Sequence, residues 1–581
     1  MTASITRSAR GALTACLAGA LLTGAAMLPA TAAAVTDQPM VRAPAGTIRG
    51  RAEGETLAFK GIPYAAPPTG PNRWRPPLPA PRWNGVKDAG AYGPACIQPT
   101  PGAPHIYSDD LGATSEDCLT LNVWTGSTDG KAPVIVWIHG GSLVAGSSKE
   151  RLYDGARLAA NGVVVVSINY RLGVLGYLAH PDLSAESPAG VSGNYGLMDQ
   201  IAALQWVRRN IEAFGGDPDN VTIAGESAGG LSVIYLMTSP LARGLFSKAI
   251  AQSAYMISTP ELKEARFGTP SAESAGMTLA LRLQAPSLRV LRGMDPQTLT
   301  DQAARSGFAP FGAVDGMVLP LQLVDVFDRG EQAPVPVLAG FNSGEIRSLR
   351  FLAPPAPASA ADYERVIRER YGDLADDFLR LYPSSDMDES ILAASRDALY
   401  GWTAERLTRF QSAAGHPSFL YLFDHGYPAA DEAGLHAFHA SELPYMFGNL
   451  QRTPPRWPRI PETPAESGLS DRMVGYWTSF ARTGQPRASD APMWAPYGDD
   501  RAYMVFRDTP TPASGLMPGM YALHERSVCR RRASGVLAWN WNTGLASPRL
   551  PEASRACDTS RGRQAGQDSE ADSTTARNRT L

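Results

Sequence analysis

The feature that most restricts the fold of this chain is a strand that turns into a helix with no loop between them. Residues 221–224, Val-Thr-Ile-Ala, read as a short strand, Gly225-Glu226-Ser227-Ala228-Gly229 follows at once, and residues 228–237 read as a helix. The order strand, helix, strand recurs along the chain, which predicts a mostly parallel sheet flanked by helices. Residues 134–138 and 163–168 are nearly continuous Val and Ile runs, the pattern of strands covered on both faces. Residues 249–253, 335–340 and 419–423 read as further strands. Residues 196–214 read as a helix with Leu197, Ile201, Leu204 and Val207 on one face and Arg208 and Arg209 near its end. The predicted class is doubly wound α/β. Pro-rich stretches at 63–81, 354–357 and 454–464 are expected as loops, because proline serves neither a helix interior nor a central strand.

A chain of 581 residues is long enough for three or four domains. Large α/β enzymes, however, carry long insertions on a single sheet, so one domain over residues 35–550 is expected. Hydrophobic residues at 44% supply ample core material, and a formal net charge of −3 gives no attraction to nucleic acid or an anionic membrane. A small molecule is the expected partner. Residues 1–34 stand apart: Arg7 and Arg10 precede an apolar run over 12–28, and Ala32-Ala33-Ala34 offers a cleavage site, which together read as a signal peptide. No later stretch reaches the roughly 20 apolar residues needed to span a bilayer, so a secreted or periplasmic protein without stable membrane insertion is expected. Leu13-Thr14-Ala15-Cys16 offers lipid attachment as an alternative, although most of the apolar run follows it.

Cleavage leaves four cysteines, an even number for an oxidising compartment. Cys96 and Cys118 are expected to close a short loop. Cys529 and Cys557 form the remaining pair, with Cys557 in a polar tail. From residue 551 the chain is short of large apolar residues, and residues 551–581 are expected to be disordered.

In the pentapeptide 225–229 the glycines allow a sharp turn that projects the Ser227 hydroxyl, and the helix N-terminus directs N–H groups toward developing anionic oxygen. Ser227 is thereby the candidate nucleophile. The surroundings carry a resemblance. Phe214-Gly215-Gly216-Asp217-Pro218 through Gly229, and Glu116-Asp117-Cys118-Leu119-Thr120-Leu121-Asn122, resemble the two signatures of the type B carboxylesterase and cholinesterase family. Asn169-Tyr170-Arg171-Leu172-Gly173, Gly193-Asn194-Tyr195-Gly196-Leu197-Met198-Asp199-Gln200 and Phe59-Lys60-Gly61-Ile62-Pro63-Tyr64-Ala65 are also similar to family segments, so that the match runs from about residue 40 to about 500.

The resemblance implies an α/β-hydrolase fold and hydrolysis of carboxylic esters through an acyl-enzyme, with no metal and no organic cofactor. It implies that His139-Gly140-Gly141-Ser142 is the oxyanion loop, with Gly141, Ser142 and Ala228 as backbone donors. Ser142 departs from the family's usual glycine or alanine. In this fold the triad order is Ser, acid, His. His439-Ala440-Ser441-Glu442-Leu443-Pro444 looks like the family's histidine segment and selects His439, with His436 as its rival. Gly340-Phe341-Asn342-Ser343-Gly344-Glu345 matches the acid's segment and selects Glu345, with Gly344 replacing a common aspartate and Ile346 a common glycine. Glu226 and Ser253 are supporting candidates that serve equally well as structural residues. A histidine with its ordinary pKa would place the rise of activity around pH 6 to 7.

Two other readings stay open: a catalytically silent binding or adhesion protein on the same scaffold, and an amide or thioester hydrolase with the same triad. A preference for choline esters is not expected, because the family's cholinesterases use a tryptophan in the first disulfide loop. Tyr107 is the only Phe, Tyr or Trp between Cys96 and Cys118.

Overall fold

The computed structural model describes residues 38–539 and 543–558. The expected signal peptide, the lipid-attachment alternative at Cys16 and the tail beyond residue 558 lie outside the described residues.

The core is an eleven-stranded sheet. Its strands, in chain order, are β1 (Arg51–Glu53), β2 (Thr56–Pro63), β3 (Thr120–Thr125), β4 (Ala132–Ile138), β5 (Val164–Ile168), β6 (Gly216–Glu226), β7 (Lys248–Gln252), β8 (Val337–Asn342), β9 (Phe419–Phe423), β10 (Ala502–Phe506) and β11 (Pro510–Ser514). They lie side by side in the order β1-β2-β3-β5-β4-β6-β7-β8-β9-β10-β11. Neighbours from β5 through β10 run parallel, and antiparallel pairs close both edges. A small separate sheet pairs Met40–Ala43, Gly46–Arg49 and Val86–Asp88.

The alternation of side chains explains why the central strands are apolar throughout. Val134, Val136 and Ile138 of β4 join one buried cluster, with Val164, Val166, Val221, Ile223, Ala339 and Phe341. Ile135 and Trp137 join another, with Val165, Ala224, Ile250, Tyr421 and Phe506. Both faces are covered, so neither can be polar. Helices α1 (Tyr195–Asn210), α2 (Ala228–Thr238) and α3 (Trp402–Ala413) cover the first face, and α1 does so with Leu197, Ile201, Leu204 and Val207, the face read from its period. Helix α4 (Pro464–Thr483) covers the second face through Leu469, Met473, Trp477 and Phe480. Thr463 caps it by accepting from the Glu466 N–H, which satisfies one free donor of the first turn.

Disulfides join Cys96 to Cys118 and Cys529 to Cys557. The second alters the expectation for the C-terminus. Residues 551–558, read as the start of a disordered tail, carry a helical turn at Arg555–Asp558 bonded covalently to α5 (Met520–Ser534). Leu550 just before them is buried, and its N–H donates to the Arg370 carbonyl at 2.8 Å. The composition is as polar as read, but a covalent tie substitutes for the missing apolar surface.

Candidate active site

In a parallel sheet the strand ends converge, and residues just beyond the carboxyl ends of neighbouring strands form one crevice. The register puts Gly225 beside Ile138, Glu226 beside Gln252, and Gln252 beside Gly340. The segments that follow these positions are the glycine loop after β4, the Ser227 turn after β6, Ser253 after β7 and the Glu345 loop after β8.

Ser227 has φ 56° and ψ −121°, a region sparsely populated by non-glycine residues and costly by roughly 1–3 kcal/mol. The strain is held by two bonds: its N–H donates to the Gln252 carbonyl at 3.0 Å and its own carbonyl accepts from Leu231 N–H at 2.9 Å. The flanking glycines work by close approach and not by positive φ, which falls on the serine itself. A Cβ on Gly229 would stand 2.1 Å from the Ile138 carbonyl oxygen, and one on Gly225 would stand 2.5 Å from the Gly229 backbone. The turn therefore fits against β4 only without side chains there.

The glycine loop lies against this turn, since a Cβ on Gly140 would come within 3.2 Å of the Ser227 Cβ. Gly141 has φ 98° and Ser142, a non-glycine, has φ 57°. Both residues are exposed. Among the described residues, the backbone N–H groups of Gly141, Ser142 and Ala228 donate to no protein acceptor. His139 anchors the loop: its Nδ1 lies 2.9 Å from the Gly140 carbonyl, its ring stacks on Tyr170, and its carbonyl accepts from the Tyr170 hydroxyl at 2.8 Å. Burial pushes its pKa down to about 4, so it is neutral.

Glu345 and His439 meet. The His439 Nδ1 is hydrogen-bonded to the Glu345 Oε2, with the carboxylate fully buried and the imidazole nearly so. The other Glu345 oxygen accepts from the Ser253 hydroxyl at 2.6 Å and the Asn342 N–H at 2.8 Å. Ser253, one of the two supporting candidates, thus touches the acid directly. The other, Glu226, lies on the far side of the ring: its Oε1 is 3.0 Å from the His439 Nε2, without the alignment of a hydrogen bond. His436, the rival histidine, is at the surface with Asp431 and Asp424, at 2.8 and 3.4 Å.

Three buried carboxylates surround this one imidazole. Burial pushes Glu226 up to about 8, with Glu442 and Glu345 adding to the effect and His439 opposing it. Burial likewise pushes Glu442 up to about 7. For His439, burial disfavours the charged form, but the carboxylates of Glu226 and Glu345 outweigh it and hold the imidazole above its ordinary value. His439 and Glu226 are close enough for the protonation of each to depend on the other.

Several further residues contribute to the site. Glu442 is held by two amides, accepting from Gln252 Nε2 at 2.9 Å and from Asn342 Nδ2 at 2.6 Å, and Trp477 in turn donates to Gln252 at 3.0 Å. The Tyr107 hydroxyl donates to the His439 carbonyl at 2.9 Å. Tyr400 sits in a π-helical turn, Asp397–Gly401, and lays its ring along His439 with centroids 5.4 Å apart. Gly344, in place of the family's common aspartate, is required by space: a Cβ there would lie 2.8 Å from the carbonyls of Ala437 and Leu435 in the histidine loop. Among the described residues no group of three or more His, Cys, Asp or Glu is arranged to hold a metal ion, and no helix is long and apolar enough to cross a membrane.

Comparison with known proteins agrees with this architecture. The model of the carboxylesterase family matches residues 37–520. The chain is 37% identical over 523 residues to fumonisin B1 esterase of Sphingopyxis macrogoltabida, covering 86% of this chain and 92% of that one. It is 37% identical over 479 residues to para-nitrobenzyl esterase of Bacillus subtilis, covering 80% and 94%. A solved PNB esterase structure superposes with a TM-score of 0.72 at 33% identity, covering 84% of this chain and 99% of the other. The fold is the α/β-hydrolase fold of these structures.

Proposed function

Because the chain belongs to the carboxylesterase family and is a carboxylic-ester hydrolase, we propose that it acts through Ser227 as nucleophile, His439 as general base and Glu345 as the acid. The observation that carries this assignment is the buried His439–Glu345 pair, whose other imidazole nitrogen faces the turn that bears Glu226 and Ser227.

Glu345 on Nδ1 fixes the tautomer, leaving Nε2 to accept a proton. Ser227 Oγ attacks the ester carbonyl as its proton passes to Nε2, and the carbonyl electrons move onto oxygen, held by the N–H groups of Gly141, Ser142 and Ala228. Collapse expels the alcohol, which takes the proton from His439. Water then adds to the acyl-enzyme, giving its proton to Nε2, and the second collapse releases the acid and returns the proton to Ser227. In catalytic hydrolases the serine to histidine hydrogen bond commonly tightens only with substrate bound.

The substrates are esters of the kind named by the relatives, without a preference for choline, because the aromatic residue of the first disulfide loop is engaged with the histidine loop. Secretion is part of the proposal: two disulfides in the described chain fit an oxidising compartment, and the mature protein should begin near Val35. A serine-directed organophosphonate should label the protein once, at Ser227, and Ser227→Ala should abolish both labelling and turnover of p-nitrophenyl esters. Labelling at another serine in the Ala variant, with turnover kept, would overturn the assignment.

A further inference from the structure

The segment closed by Cys96 and Cys118 touches three separate parts of the site. Near its start, Gln98 clamps the end of the glycine loop, accepting from the Gly146 N–H at 3.0 Å and donating to the Gly146 carbonyl at 3.1 Å. In its middle, the Tyr107 hydroxyl donates to the His439 carbonyl at 2.9 Å and stands 2.7 Å from the Ser348 hydroxyl, three residues after Glu345. The Tyr107 ring packs edge-on against His439 and Trp457 and tilted against Phe438. Asp109 ties the segment to Arg151 at 2.9 Å.

We propose that this disulfide-closed segment is the positioning element of the active site, with Tyr107 the residue through which it holds His439. The inference rests on the triad proposed above. Its physical basis is that residues 424–442 contain one short helix and otherwise depend on neighbours for their placement, and that the Tyr107 bond is made to the backbone of the histidine itself. Burial holds the Tyr107 hydroxyl well above its ordinary pKa, so it remains a donor at every working pH. The disulfide keeps the ends of the segment together, so that Gln98 and Tyr107 act from one frame. Tyr107 is thus a positioning residue, and its loss should appear in kcat with KM preserved.

The test uses the full mature chain. Tyr107→Phe keeps the ring and removes the bond; kcat for p-nitrophenyl esters should fall about tenfold, the scale of one buried hydrogen bond, with KM within about twofold and the unfolding midpoint nearly unchanged. Replacing Cys96 and Cys118 together by serine should also lower kcat, and adding Tyr107→Phe to that variant should cost less than the product of the two effects, because both perturb one frame. If the serine pair fails to fold, reduction of a variant in which Cys529 and Cys557 are already serine, compared with the same variant unreduced and checked by a count of two thiols, takes its place. Wild-type kcat in Tyr107→Phe, or losses that multiply in full, would overturn the inference. Ser227→Ala run alongside separates the two ideas: if it stays active the triad is wrong, whereas if it is inactive and Tyr107→Phe is unimpaired only the positioning role fails.

Discussion

The turn that carries Ser227 and the loop that carries His439 are held in opposite ways. The turn is one sharp junction, with β6 ending at Glu226, α2 beginning at Ala228, two glycines pressed against β4 and the Ser227 N–H bonded to the Gln252 carbonyl of the neighbouring strand. The loop runs from the end of β9 to the short helix Leu443–Phe447, and distant partners hold it: Ala437 accepts from Gly344 N–H at 2.8 Å, Phe438 from Asn342 Nδ2 at 2.8 Å, and His439 from Tyr107. A locally built element fails abruptly when its geometry is disturbed. An element built from many remote contacts should degrade by steps.

The largest effect is expected where the two regions meet the acid. Glu345→Gln is nearly isosteric and should fold, yet it removes the charge that stabilises the imidazolium and allows the wrong tautomer. A loss in kcat of about 10⁴ is expected, against which Glu442→Gln, with its amide partners still in place, should lose far less. Retention of more than about a tenth of kcat by Glu345→Gln would mean that the acid is another residue. Next in size is Gly225→Ala. Its methyl group would collide with backbone at 2.5 Å, not with a flexible side chain, so the yield of folded protein or kcat should fall by at least about a hundredfold. Tolerance of this alanine would show the turn to be softer than its geometry says.

A third measurement concerns the carboxylates around the imidazole, Glu226 on the turn and Glu442 on the loop among them. The base works only when neutral, so a pKa held high by Glu226 and Glu345 delays activity to higher pH. Glu226→Gln removes one of these carboxylates, and the acid limb of kcat/KM should move down by about one unit or more. An unmoved limb would assign the elevation to Glu345 and Glu442.

The same contrast explains what could be read before the structure was known. The β6, Ser227, α2 junction is legible because its glycines, serine and flanking strand and helix are contiguous in sequence, although the Gln252 carbonyl and β4 that hold it are remote. Six of the eleven strands are legible because both their faces are buried, leaving no polar position to blur the pattern. Glu345 and His439 were located through resemblance, not through any local physical rule, since their pairing spans 94 residues. Gln98 carries no sequence signal, Asn342 is legible only as a member of the acid's segment and Tyr107 only as the aromatic residue of the first disulfide loop, because their partners lie far away in sequence. Residues 551–558 carry structure where polarity alone predicts disorder, because composition says nothing of the bond from Cys557 to Cys529.

The smallest expected effect sits on the histidine loop itself, at His436. Its Nδ1 is 2.8 Å from Asp431 and its Nε2 3.4 Å from Asp424, which also accepts from Arg507 at 2.9 Å. Hydrogen bonding to Asp424 raises its pKa, burial opposes this, and Asp431 adds to the increase. A histidine whose folded-state pKa is raised stabilises the fold most below its unfolded value, near about 6.5, and loses that contribution as pH climbs through the folded value. The side chain is 41% exposed, so solvent screening keeps the whole contribution within about 1 kcal/mol. The informative substitution is His436→Asn, because the residue has φ 50° and asparagine tolerates that conformation better than alanine. Its unfolding midpoint should fall below wild type at pH 5.5 and approach it at pH 8.5, with kcat at the higher pH within about twofold, since many other contacts still hold the loop. A kcat lowered by more than about tenfold at pH 8.5 would show that one surface cluster, and not the distributed set of remote bonds, sets the position of His439.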